Sequence, residues 1–142
     1  MKAKAVWKGK MFFEGTGAGR FTLPMDTSVE SGGEDSGFRP IELVLVALAG
    51  CTAMDVISIL QKKRQDVTDF EVRVVEAERA EDHPRVYTRI MLEYVVTGRG
   101  IDRTAVERAV ELSEEKYCSV QGMLGKVTNI ERIITVLEAE AA

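Results

Sequence analysis

Polar and apolar residues alternate over residues 2–8, KAKAVWK, as in a strand with one wet face. Lys10 to Glu14 reads as its hairpin partner, and Gly15, Gly17 and Gly19 mark a turn. Arg20 to Met25 is a third short strand, whose Pro24 places its end at a sheet edge. Thr27 to Gly37, TSVESGGEDSG, has no apolar period and reads as a loop long enough to be functional or mobile. The pattern then changes. Within Phe38 to Gln65, the run from Leu43 to Leu60 is apolar on nearly every side. Pro40 suits a first helical position, Glu42 the first turn, and Lys62, Lys63 and Arg64 the last. A helix buried all round is predicted; one sheet cannot cover it, so a second copy of the chain is expected against it. Alternation returns over Phe70 to Arg79 and Val86 to Thr97, a hairpin turning at Glu81-Asp82-His83-Pro84. Asp102 is a plausible cap for a helix over Arg103 to Tyr117, where Val106, Ala109, Val110, Ser113 and Tyr117 fall at helical spacing. Gly122 and Gly125 allow a further turn, and Asn129 to Leu137 is a final strand.

This order predicts a mixed α/β (α+β) domain, a single one over residues 1–142. Strands and helices do not alternate regularly, which argues against a doubly wound parallel sheet. A membrane span is the rival reading of the apolar run. Thr52, Asp55 and Ser58 oppose it, as does the lack of an aromatic belt. The net charge of −4, without a basic stripe, argues against a nucleic-acid partner. The start of the chain alternates instead of running apolar, so no signal peptide is expected and the expected compartment is the cytoplasm. Cysteines there are usually reduced. One His and two widely separated Cys are too few ligands for a zinc site within one chain.

Chemistry centres on Cys51, held in the middle of the predicted helix. Gly50 beside it costs about 1 kcal/mol against Ala in a helix, which points to close approach by another group. Asp55 lies one turn on, facing the same way, and its carboxylate needs a cation or a donor. A reactive thiolate would need a positive group as well. Cys118 stands at a helix end beside a Gly-containing turn that could move. Either cysteine alone reads as an inert small hydrophobe; together they suggest an attacking and a resolving thiol. His83 is read as a turn residue, and Met11, Met25, Met54 and Met91 as core or surface fill. Glu30 to Asp35 is read as a solvated loop, while Trp7, Phe12, Phe13 and Phe38 are read as core, or as the wall of an apolar pocket.

PIELVLVALAGCTAMDV closely resembles the cysteine helix of the OsmC/Ohr family of small thiol-dependent hydroperoxide reductases, and EKYCSV resembles that family's second cysteine motif, often a KYCPV-like run. The order of elements matches over nearly the whole chain, and by subgroup it looks most like the OsmC-like, YhfA-like branch. The resemblance implies an OsmC-like fold: strands wrapped around a long buried central helix in an intertwined homodimer, with two sites at the subunit interface. It implies that Cys51 attacks an organic hydroperoxide and becomes a sulfenic acid, that Cys118 condenses with it to a disulfide, and that a dithiol reductant resets the pair. No metal, flavin or haem cofactor is implied. There are departures. Ohr-type members carry Glu directly after the helix-start Pro, where this chain has Ile41, with its acid at Glu42. Nine residues at 100° each put Glu42 about half a turn from Cys51, more simply a helix-start charge than an orienting acid. The Arg that Ohr-type members bring from the first hairpin corresponds to Lys10, and Arg39 is an alternative cation. Ile41 and Lys10 favour a rival reading, a non-catalytic dimer that binds an apolar small molecule at its interface. The presence of both cysteines favours the enzyme.

Overall fold

A computed structural model describes residues 1–141. The chain forms two compact units, Met1–Val46 and the residues from Ala47 onward. In the first, β1 (Lys4–Gly9), β2 (Phe12–Thr16) and β3 (Thr22–Met25) make an antiparallel sheet in chain order. Pro24 lies in β3, an edge strand that can do without its N–H. The following loop is tightly organised. The buried carboxylate of Asp26 accepts hydrogen bonds from the backbone N–H of Thr27 (2.8 Å), Glu34 (3.1 Å) and Ser36 (3.1 Å), and from Ser36 Oγ (2.6 Å). A short 3-10 turn, Val29–Ser31, lies inside it. Gly33 is obligatory there, since a Cβ would meet Thr27 O at 2.2 Å and Asp26 Oδ1 at 2.6 Å.

The long helix α1 runs from Pro40 to Lys62, and the boundary between the units falls inside it. Glu42 lies three residues past Arg39, and its carboxylate accepts a hydrogen bond from the Arg39 N–H (3.1 Å), half of a capping box. The side chains of Leu48, Thr52, Val56 and Leu60, spaced by four, are fully buried. The expectation of burial on every side is not met within one chain. Met54 is 73% exposed and Val46 55% exposed, because a single stripe is all that one layer of structure can cover. The helix is long and apolar enough to cross a membrane by length and composition.

The second unit carries a sheet of β4 (Asp66–Arg79), β5 (Tyr87–Arg99) and β6 (Asn129–Glu138). The β4–β5 pair is the expected hairpin, with β4 starting four residues earlier than its alternation suggests. Strand β6 lies on the far side of β5 and parallel to it. A parallel pair needs a crossover, which α2 (Arg103–Leu112), a π-helical turn (Ser113–Tyr117) and α3 (Ser119–Leu124) supply. Asp102 caps α2 by accepting from the Thr104 N–H (3.0 Å). The single helix expected over Arg103 to Tyr117 is therefore shorter, and its last turn is wound wider. Ile90, Leu92, Tyr94 and Val96 of the central strand are buried, as are Val106, Ala109 and Val110 of α2 and the α1 stripe. Each fully buried aliphatic side chain contributes about 1.5–3 kcal/mol.

Candidate active site

Cys51 and Asp55 stand one turn apart on α1, and Cys118 follows the π-helical turn. The fold gathers them. The two sulfurs and a carboxylate oxygen of Asp55 all lie within 4.8 Å of one another. Cys51 is half-buried, Cys118 is buried, and both are free thiols. An i to i+5 hydrogen bond from the Cys118 N–H to the Ser113 carbonyl (2.8 Å) closes the wide turn. Cys118 is also the residue before α3, where its sulfur accepts a hydrogen bond from the Gln121 N–H (3.4 Å). Burial pushes the Cys118 thiol up to about 11. The Gln121 N–H opposes that shift, while the adjoining Cys51 and Asp55 add to it. At neutral pH Cys118 is held as a protonated thiol.

A buried row of hydroxyls ends at this site. Tyr94 Oη lies 2.9 Å from Thr52 Oγ1, which lies 2.8 Å from Ser113 Oγ, and Ser113 Oγ lies 2.9 Å from Asp55 Oδ2. An ionised carboxylate only accepts, so the Ser113 proton goes to Asp55. Ser113 must then accept from Thr52, and Thr52 from Tyr94. Every hydrogen bond in the row points toward Asp55. Burial holds the Tyr94 hydroxyl up at about 12, keeping it a donor. The partner that Asp55 requires is thus a hydroxyl, Ser113. Ser113 does two things at once: its side chain holds Asp55, and its carbonyl holds Cys118.

Neither Tyr94 nor Ser113 stood out in the sequence as a polar group at the site. Ser113 occupies an apolar-face position of α2, and a small hydroxyl on such a face is the signal that could have found it. The two-cysteine count of zinc ligands left out Asp55, which brings the donors gathered here to three. Gly50 is different from expectation: among the described residues outside its own helical turn, a Cβ there would meet nothing within 4 Å.

The remaining candidates lie in the first unit. Arg39 forms an ion pair with Asp35, and Glu42 holds the Arg39 N–H. Lys10, in a left-handed conformation at φ 48°, pairs with Glu34, whose hydrogen bond and charge raise the lysine pKa. Phe12 lines a cleft of about 510 Å³ with Lys8, Lys10, Asp26 and Glu34. Phe13 lines a mainly apolar cleft of about 340 Å³ with Ala5, Met11, Met25 and Pro40. Trp7 and Phe38 are exposed. In the second unit, Met54, Asp55, Ser58, Ile59, Lys62 and Tyr117 line a cleft of about 420 Å³ that reaches the thiol site through Asp55.

The family model for OsmC-like proteins matches residues 33–132. Protein YhfA of Escherichia coli K12 is 47% identical over 139 residues, covering 98% of this chain and 100% of that one. The crystal structure of a hypothetical protein from Aquifex aeolicus, 32% identical, superposes with a TM-score of 0.85 over 98% of this chain and 97% of that one. The organic hydroperoxide resistance protein OsmC of Legionella pneumophila, 18% identical, shares the fold with a TM-score of 0.67 over 95% of this chain and 96% of that one.

Proposed function

This chain belongs to the OsmC-like protein family, and on that premise we propose that it is a thiol-dependent peroxidase that reduces organic hydroperoxides. Membership suggests a peroxiredoxin-like redox role, and proteins of the OsmC/Ohr family are typically homodimers. The observation that carries the finer reading is the approach of the Cys51 and Cys118 sulfurs to within 4.8 Å. A module that binds only an apolar small molecule does not need two thiols so placed.

In the proposed cycle the Cys51 thiolate attacks the distal oxygen of the hydroperoxide. The O–O bond breaks, an alcohol leaves after taking up a proton, and Cys51 becomes a sulfenic acid. Cys118 attacks the Cys51 sulfur, its proton joins the departing hydroxide as water, and a disulfide forms. A dithiol reductant then restores both thiols by exchange. The raised pKa of Cys118 supports this division of roles, since a thiol kept protonated is suited to wait while the other attacks. The sulfurs must close to about 2.05 Å for the disulfide. Arg39 and Lys10 are the candidate cations for the thiolate, with Glu42 placing Arg39 through its backbone. The acting form is proposed to be a cytoplasmic homodimer, in which a second copy covers the exposed apolar faces of α1.

Mass spectrometry after one equivalent of cumene hydroperoxide tests the cycle. The wild-type protein should lose two hydrogens, Cys118→Ser should gain one oxygen, and Cys51→Ser should stay unchanged. An unmodified wild-type protein overturns the reading. One observation favours the alternative, a non-catalytic dimer that binds an apolar small molecule: the apolar cleft lined by Met11, Phe13 and Met25. Saturable binding of an apolar dye, unaltered in Cys51→Ser and accompanied by inert thiols, would select it.

A further inference from the structure

Two sulfurs and a carboxylate oxygen within 4.8 Å of one another form a donor set as well as a redox pair. We propose that the reduced site binds a borderline-soft divalent cation of the zinc class through Cys51 Sγ, Cys118 Sγ and an Asp55 oxygen, and that the bound ion excludes the Cys51–Cys118 disulfide. Three protein ligands with solvent in the fourth position is the composition of an open tetrahedral zinc site. Zinc–sulfur bonds of about 2.3 Å and zinc–oxygen bonds of about 2.0–2.2 Å set tetrahedral donor separations of roughly 3.5–3.8 Å. The donors lie within 4.8 Å of one another, so side-chain adjustment of about 1 Å would draw them around a cation.

The surroundings fit such a ligand set. The Ser113 hydroxyl holds Asp55 Oδ2 and so orients the carboxylate, the service an outer partner gives a metal-binding group. The Gln121 N–H points at the Cys118 sulfur and favours it as a thiolate ligand. The cleft beside Met54 and Tyr117 reaches Asp55 and offers an entry path. Occupied in this way, the site presents two thiolates and one carboxylate to a doubly charged ion. A sulfur bound in this way cannot also enter a disulfide. Metal and oxidant therefore compete for the same atoms, and the proposal stands whether or not hydroperoxide is the oxidant.

The test uses the fully reduced, full-length protein without hydroperoxide. Titration with cadmium alone should give one ion per chain and a thiolate-to-cadmium charge-transfer band in the ultraviolet. Zinc should displace it in competition with a chromophoric chelator. Cys51→Ser and Cys118→Ser should each lose about half of the band and bind at least about 10-fold more weakly. Asp55→Asn, which can still accept from Ser113, should keep the band and weaken binding by roughly 10-fold or more. Glu34→Gln serves as a surface control. In a second arm, zinc-loaded protein should resist disulfide formation by diamide, which takes up the two electrons and two protons, and a chelator should restore it. The absence of a thiolate band, a band untouched by Cys118→Ser, or unchanged affinity in Asp55→Asn overturns the site. Disulfide formation at the same rate with and without bound zinc overturns the exclusion. Neither arm depends on peroxidase activity, so failure of that activity would be seen separately.

Discussion

The two thiols differ because their surroundings differ. Cys118 is buried, close to Cys51 and the Asp55 carboxylate, and its pKa is raised accordingly. Its alkylation by iodoacetamide should therefore stay slow at neutral pH and rise only toward pH 11, whereas an unfolded control alkylates near the ordinary thiol range. Peptide mapping after pulsed alkylation checks this residue by residue. Ser113→Ala should be costly for its size, because it leaves Asp55 without its donor and Thr52 without its acceptor. A loss of about 1–3 kcal/mol is expected by urea unfolding. Adding Thr52→Val to it should cost less than the sum of the two single changes, since both act on one network. Asp26 behaves in the opposite sense to Cys118. Four hydrogen bonds, with that from the Ser36 hydroxyl foremost, hold its carboxyl down at about 2. A depressed carboxyl contributes stability above its unfolded pKa of about 4, and that contribution is lost as pH falls from about 4 toward 2. Asp26→Asn should flatten this part of the stability–pH curve and lower Tm at neutral pH, read by calorimetry.

Among the elements, those with a period were legible and those built on pairing or on wide turns were not. The apolar run of α1 and the alternation of β5 announce themselves, since each period maps onto one structure. Strand β4 begins at Asp66 because DVTD pairs with the end of β5, and pairing outweighs its lack of alternation. The parallel partnership of β6 with β5 has no local signature at all. The π-helical turn is equally silent, as SEEKY is compatible with an ordinary α-helix. For the site, both cysteines and Asp55 were visible as residue types. Their meeting was not, because it depends on a crossover that only the sheet defines. The loop after β3 looked featureless, yet Asp26 gives it a definite shape. Leu48→Asp should abolish folding, because it places an unpaired charge in the fully buried stripe of α1. Glu34→Ala should stay within about 0.5 kcal/mol, because its ion pair with Lys10 is exposed. Circular dichroism melts of the two variants make the comparison.

At the scale of the whole molecule, the exposed Val46 and Met54 of α1 are the surfaces a second copy would cover. Sedimentation at micromolar protein should show a dimer, and Met54→Lys should weaken it without changing the secondary structure. The parallel placement of β6 has one more consequence, which concerns timing. Cys118 rides in the crossover between β5 and β6, and that crossover is anchored at both ends only after the last strand has paired. During synthesis Cys51 leaves the ribosome early, whereas its counterpart gains a fixed position only when the final ten residues of strand have docked. A chain stopped after Thr128 has both sulfurs and lacks the strand that positions the second. Ribosome-bound chains of increasing length should therefore resist disulfide formation until β6 clears the exit tunnel, which makes thiol pairing a marker of β6 docking.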